Sequence, residues 1–187
     1  MKKVPIIILV SLFLFTITAF SVQERKVPSP TFEQPLLITS AGQSAEVQLA
    51  SVLAKRAALD FRLLKLANPA DLENIKTLVL VLGVSMKGLG AAGLDLAKEK
   101  ERISILIKEA EKKKIPILFL HLGGEARRGQ LSDDMVTPFL PYGKMVIVVK
   151  SGNKDKLFNR ICDENNIPLI EVEKTVDALA PLKEAFK

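Results

Sequence analysis

From Leu36 onward the chain alternates short, almost wholly apolar runs with longer runs whose apolar positions recur every three or four residues. The first kind marks strands covered on both faces, and the second marks helices packed along one stripe. Residues 36–40 read as a first strand and 44–57 as a helix. Residues 61–66 alternate as Phe, Arg, Leu, Leu, Lys, Leu, which suits a strand with a more exposed position. Asn68-Pro69-Ala70-Asp71 places a cap residue, a first-turn proline and an acid in order, so a short helix is predicted there. Residues 78–84 and 115–122 are nearly uninterrupted in apolar character and belong in the middle of a sheet. Between them Ile103, Leu106, Ile107 and Ala110 keep helical spacing, predicting a helix over 98–114. Leu131-Ser132-Asp133-Asp134-Met135-Val136 supplies a cap, first-turn acids and an apolar pair, which predicts a helix starting at Ser132. A fifth strand over 145–149, a helix over 154–165, a sixth strand over 168–172 and a closing helix over 175–186 complete the reading.

Strand and helix units in this order, joined by right-handed crossovers, predict an α/β fold. The architecture expected is a three-layer, Rossmann-like and flavodoxin-like doubly wound parallel sheet of five to six strands, with 61–66 at one edge. Residues 36–187 are expected to form a single domain. No internal repeat is evident.

The first 35 residues follow different rules. Lys2 and Lys3 precede a run over 6–20 broken only by Ser11, Thr16 and Thr18, which is the charged and hydrophobic pattern of an export signal. Ala19-Phe20-Ser21 offers small residues where a signal peptidase reads, so residues 1–21 are expected to be a signal peptide, cleaved after Ser21. The run is shorter than the ~20 residues that span hydrocarbon, so no membrane span is expected after cleavage. No cysteine follows it to carry a lipid. Residues 22–35 contain Pro28, Pro30 and Pro35 among polar residues and read as an extended tether. The expected location is the periplasm or the exterior.

Composition narrows the function classes. Trp is absent and aromatics make up 5% of the chain, so the core must rest on Leu, Ile, Val and Ala. The net charge of +6 is mild, and the densest basic run, Lys112 to Lys114, falls at a predicted helix end without aromatics beside it. That pattern is a solvated helix terminus and excludes a nucleic-acid interface as the expectation. The one cysteine, Cys162, lies on the apolar face of a helix with Leu157, Phe158 and Ile161, so it is expected to be buried and inert. One His and one Cys far apart in sequence lack ligand spacing, and no metal or other cofactor is expected.

In doubly wound sheets, ligands bind beyond the carboxyl ends of the strands, near the point where strand order reverses. Three loops are expected there. The first carries Ser40, Gly42, Gln43 and Ser44; the second, over 85–90, carries Ser85, Lys87 and Gly88; the third, over 121–130, carries His121, Gly124, Arg127 and Arg128. Each leads to a helix whose first N–H groups lack partners, and Lys87, Arg127 and Arg128 add positive charge, so a small anionic or polar ligand is expected. The competing explanation is that the glycines serve only backbone freedom in short turns.

Two chemical motifs compete with simple binding. Gly88-Leu89-Gly90-Ala91-Ala92-Gly93 has the spacing of a dinucleotide fingerprint, but it follows the third strand and no acid ends the next strand to hold a ribose. Gly83-Val84-Ser85-Met86-Lys87 is close to a nucleophile elbow, with Lys87 in place of the second glycine. A serine esterase or amidase would need His121 as base within ~3 Å of Ser85, with Asp133 or Asp134 orienting it. A lone histidine beside an apolar strand is more often structural, so no catalytic residue is assigned.

The runs Thr39-Ser40-Ala41-Gly42-Gln43-Ser44-Ala45-Glu46, Gly83-Val84-Ser85-Met86-Lys87-Gly88 and His121-Leu122-Gly123-Gly124-Glu125-Ala126-Arg127 resemble an uncharacterised family of exported bacterial proteins. The likeness spans most of residues 36–172. It implies a secreted Rossmann-like domain of unknown function and supplies no catalytic residues. The leading expectation is therefore a non-enzymatic binding domain of the cell envelope. A Ser85/His121 hydrolase and a scaffold that uses a helix face are the alternatives.

Overall fold

The two kinds of run fold as their periods require. The structure, a computed structural model, describes residues 32–186. Six strands, β1 (Leu36–Ala41), β2 (Phe61–Leu63), β3 (Thr77–Leu82), β4 (Ile117–His121), β5 (Met145–Val149) and β6 (Leu169–Val172), form one sheet in the order β2-β1-β3-β4-β5-β6. Every pairing is parallel. This is the flavodoxin-like order extended by one strand, and the order reverses between β1 and β3.

Five α-helices lie between the strands and a sixth follows β6: α1 (Glu46–Arg56), α2 (Met86–Ala91), α3 (Leu96–Lys112), α4 (Gln130–Phe139), α5 (Leu157–Glu164) and α6 (Leu179–Ala185). Alternation along each strand sends its side chains to two cores. Leu36, Ile38, Val79, Val81, Leu118 and Leu120 pack with α1 and α6. Leu37, Leu78, Leu80, Ile117 and Phe119 pack with α3, α4 and α5 on the other face. Burying one such side chain stabilises the fold by roughly 1.5–3 kcal/mol, so covering both faces accounts for the uninterrupted apolar runs.

Around the strand ends and the sheet edge, three elements differ from the sequence reading. Residues 85–90, expected to be a glycine-rich loop, form the start of α2, because the Ser85 hydroxyl accepts from Gly88 N–H at 3.1 Å and caps a helix that two glycines would otherwise disfavour. The helix expected to begin at Ser132 begins at Gln130, and the Ser132 hydroxyl turns inward to accept from Val84 N–H at 3.0 Å. The edge strand ends at Leu63, three residues early, after which Leu64 N–H still donates to Ile38 O.

Of residues 22–35, expected to be tether, the last four belong to the domain. Phe32 is 3% exposed, its N–H donates to Ala185 O at 2.7 Å, and its ring lies 5.6 Å from that of Phe186. Thr77 Oγ1 donates to Glu33 O, and Asp60 N–H donates to Gln34 Oε1. The expected signal peptide, residues 1–21, and the rest of the tether lie outside the described residues. Among the described residues no helix is long and apolar enough to cross a membrane.

Candidate functional site

Parallel strands place all their carboxyl ends on one side of the sheet, so the three expected loops do meet there. They do not leave a crevice between β1 and β3. Ser85 N–H donates to Gly42 O at 2.8 Å, Gln43 and Val84 form an antiparallel bridge, and Gly88 lies on the Gln43 carbonyl so closely that a Cβ would overlap it. Gly42, at φ +113°, faces the Gly83 carbonyl with no room for a side chain. The two loops are zipped together by backbone, and that contact is what the glycines permit.

Beneath this seam lies a buried polar network. Gln43, held at φ +57°, points its amide inward, where Nε2 donates to Glu99 Oε1 at 3.0 Å and to Lys65 O at 3.3 Å. Glu99 is fully buried and also accepts from Gly42 N–H at 2.9 Å and from Arg102 through Nε and Nη2, both at 2.8 Å. Arg102 donates onward to the carbonyls of Ala67 and Ser40. Every charge here has a partner, as a buried ion pair requires. Neither Glu99 nor Arg102 was among the candidate residues. The signal in the sequence was an acid on the apolar stripe of α3, four residues before Ile103 and with Arg102 three residues on.

Strand alternation then divides the remaining candidates between the two faces. Ser40 follows Leu36 and Ile38 onto the α1 face, whereas His121 follows Ile117 and Phe119 onto the opposite face. His121 is fully buried, with Nδ1 3.2 Å from Leu82 O and Nε2 3.2 Å from Gly124 O. Its ring lies 5.2 Å from that of Phe158, and a Cβ on Gly152 would stand 2.6 Å from Nε2. Burial holds its pKa below the ordinary value, outweighing the two carbonyls. Both His121 ring nitrogens face carbonyls and the Ser85 oxygen accepts from Gly88 N–H, so no hydrogen bond joins Ser85 to His121 as nucleophile to base.

On the α1 face the geometry is different. Glu46, in the first turn of α1, accepts from Arg127 Nε at 2.9 Å, and Arg127 sits on the 3-10 turn Gly124–Arg127 after β4. Gly123 is flush against the Arg127 side chain, and Gly83 abuts both Ser44 and Arg127. Burial alone would raise the Glu46 pKa, but the Ser44 hydroxyl, Arg127 and Glu46's own backbone N–H bring it below the usual carboxylate value. The Ser44 hydroxyl acts on the carboxylate without reaching good hydrogen-bond geometry, and Ser40 Oγ and Glu46 Oε2 are likewise buried without a hydrogen bond. Buried polar atoms of this kind are normally satisfied. Arg127 uses only Nε, so among the described residues its two terminal amino groups have no hydrogen-bond partner, and its side chain is 32% exposed. Lys87 is exposed on α2 and makes no ion pair among the described residues.

Arg128, the next residue, is spent on structure. It pairs with Asp133 at 2.7 Å and with both carboxylate oxygens of Asp155, donates to Gly152 O, and lies 5.6 Å over the Phe158 ring. The Arg128 guanidinium holds the Asp155 carboxyl at a pKa of about 2. A cleft of about 220 Å³ beside these groups also contains Lys154, paired with Glu125. Its cations are all neutralised. No cluster of His, Cys, Asp and Glu among the described residues could hold a metal ion.

The fold and these loops define the class: a doubly wound α/β domain of flavodoxin-like order whose strand ends carry a polar cluster in place of an open crevice. More specifically, residues 33–186 match the family model DUF6305, a domain of unknown function, and the chain belongs to that family. No curated protein matches the sequence.

Among solved structures, one similar chain is a putative lipolytic protein of the G-D-S-L family from Desulfitobacterium hafniense DCB-2, at 13% identity and a TM-score of 0.34, covering 73% of this chain and 75% of the other. A second is AlinE4, an SGNH-hydrolase family esterase, at 12% identity and a TM-score of 0.30, covering 78% and 77%. A third is a putative acylhydrolase from Bacteroides fragilis NCTC 9343, at 9% identity and a TM-score of 0.34, covering 77% and 71%. Likeness this low gives no basis for carrying their chemistry over to this chain.

Proposed function

We propose that this is a non-catalytic binding domain of the cell envelope that holds a small oxygen-rich ligand, polar or anionic, over the ends of β1, β3 and β4. The observation that carries the reading is the Arg127 guanidinium. Its Nε is docked on Glu46, which anchors the side chain, and its terminal amino groups have no hydrogen-bond partner among the described residues. A pre-oriented guanidinium edge suits carboxylate, phosphate or hydroxyl oxygens. The non-catalytic reading is supported by two acid–base groups: Glu46 is a weakened base and His121 is sealed under Gly152. Export is supported by Lys2, Lys3 and the apolar run over 6–20.

Thermal unfolding of the full chain with inorganic phosphate, citrate, acetate and, as a neutral probe, glycerol tests the site. At least one of these should raise the Tm of the wild type, as binding to the native state must, and Arg127→Gln should abolish the rise. If none of the probes stabilises the wild type, or if Arg127→Gln responds equally, the site reading is lost and the scaffold alternative takes its place. Cell fractionation tests export separately: recovery of the chain in the cytoplasm overturns it.

A further inference from the structure

The crevice that this fold class offers at the β1/β3 reversal is covered here by α2, and what holds α2 down is sparse. Leu89 is the one side chain it buries. The remaining ties are the Ser85 N–H bond to Gly42 O, the Ser85 cap on Gly88, and the flush contact of Gly88 with the Gln43 carbonyl. Met86 is 59% exposed, Lys87, Gly90 and Ala91 are exposed, and Gly90 has open space where a Cβ would be. Two glycines within six residues make the helix poor in its own right. By contrast α3, which also packs near the reversal, buries a full stripe including Ile103, Leu106 and Ile107. Segments with few buried apolar contacts and weak propensity open well below the free energy of global unfolding.

We infer that α2 is a lid that unwinds while the sheet stays folded, uncovering the Gln43 turn against which Gly88 packs. That turn carries the Gln43 amide, which donates to the buried Glu99, so the segment under the lid leads to a polar interior. The lid does not depend on a ligand at Arg127.

Amide hydrogen exchange on the full chain tests this. The amides of Leu89, Ala92 and Leu94, which are bonded within the α2 turn, should exchange about 100-fold or more faster than those of β1, β3 and β4. The Ser85 amide, which ties α2 to Gly42, should exchange at the α2 rate. Gly90→Ala fills open space and adds helix propensity, so it should slow this exchange about five-fold. Gly88→Ala meets the Gln43 carbonyl and should accelerate it; should that variant fail to fold, Gly90→Ala still decides. The inference is overturned if α2 amides are as protected as the sheet, if Gly90→Ala leaves their exchange unchanged, or if the Ser85 amide keeps the sheet rate while α2 exchanges.

Discussion

Glu46 and Arg127 meet at 2.9 Å across 81 positions of sequence, and the pair sets the charge of the candidate site. The helix N-terminus that would welcome an external anion already has a resident one. Any ligand must therefore use the outer edge of Arg127 with a carboxylate alongside.

Glu46→Gln follows directly. Removing a like charge a few ångström from a bound oxyanion, in a half-solvated setting, should strengthen phosphate or citrate binding about ten-fold. Calorimetric titration of the variant against wild type checks it, and weaker binding in Glu46→Gln would show that the carboxylate's hold on Arg127 outweighs its charge.

Glu99→Ala should lower the unfolding free energy by about 3–5 kcal/mol, because it strands a guanidinium whose side chain is only 14% exposed. Glu99→Gln keeps an acceptor for Gly42 N–H and should cost less. Urea unfolding measures both, and a loss under about 1 kcal/mol for Glu99→Ala would mean that Arg102 is satisfied by the carbonyls of Ala67 and Ser40 alone.

His121 predicts an acid-sensitive fold. Unfolding returns its pKa to the ordinary 6.5, while burial holds the folded value lower, with Arg128 pushing further down and Glu46 pushing up. The unfolded chain therefore binds the proton more readily. The stability tied to His121 is complete above pH ~6.5 and is lost as pH falls through the lowered folded value. A His121→Gln variant should show a shallower fall in unfolding free energy between pH ~6.5 and ~5. Parallel slopes for the two proteins would contradict this assignment.

Cys162 should resist thiol reagents in the native state. It is 1% exposed, and burial pushes its pKa up to about 12, so almost no thiolate forms at neutral pH. Ellman's reagent should react with it only after denaturant is added. Prompt stoichiometric labelling of the folded protein is the contrary result.

The parts legible in the sequence were those governed by period. Buried strands such as β5 are read correctly because every residue from Met145 to Val149 is apolar and is bounded by polar neighbours. Local hydrogen bonding was legible less often. Asn68 does cap the turn Pro69–Leu72 as its order predicts, since both partners lie within three residues. Ser132 looked identical as a cap but serves Val84, 48 positions away, and no local pattern carries that. The site was legible only in part, for a related reason. Loop membership brought Gln43, Ser85 and His121 to one end of the sheet, but side-chain direction depends on strand parity and on Glu99, a partner from a distant helix.

Phe32 and Phe186 clasp the two ends of the described chain at the corner where β1 begins and α6 finishes, while Arg127 lies beyond the far ends of the strands. The described chain therefore starts and finishes at one pole of the sheet, and the polar cluster occupies the other, so the two can be altered independently of each other.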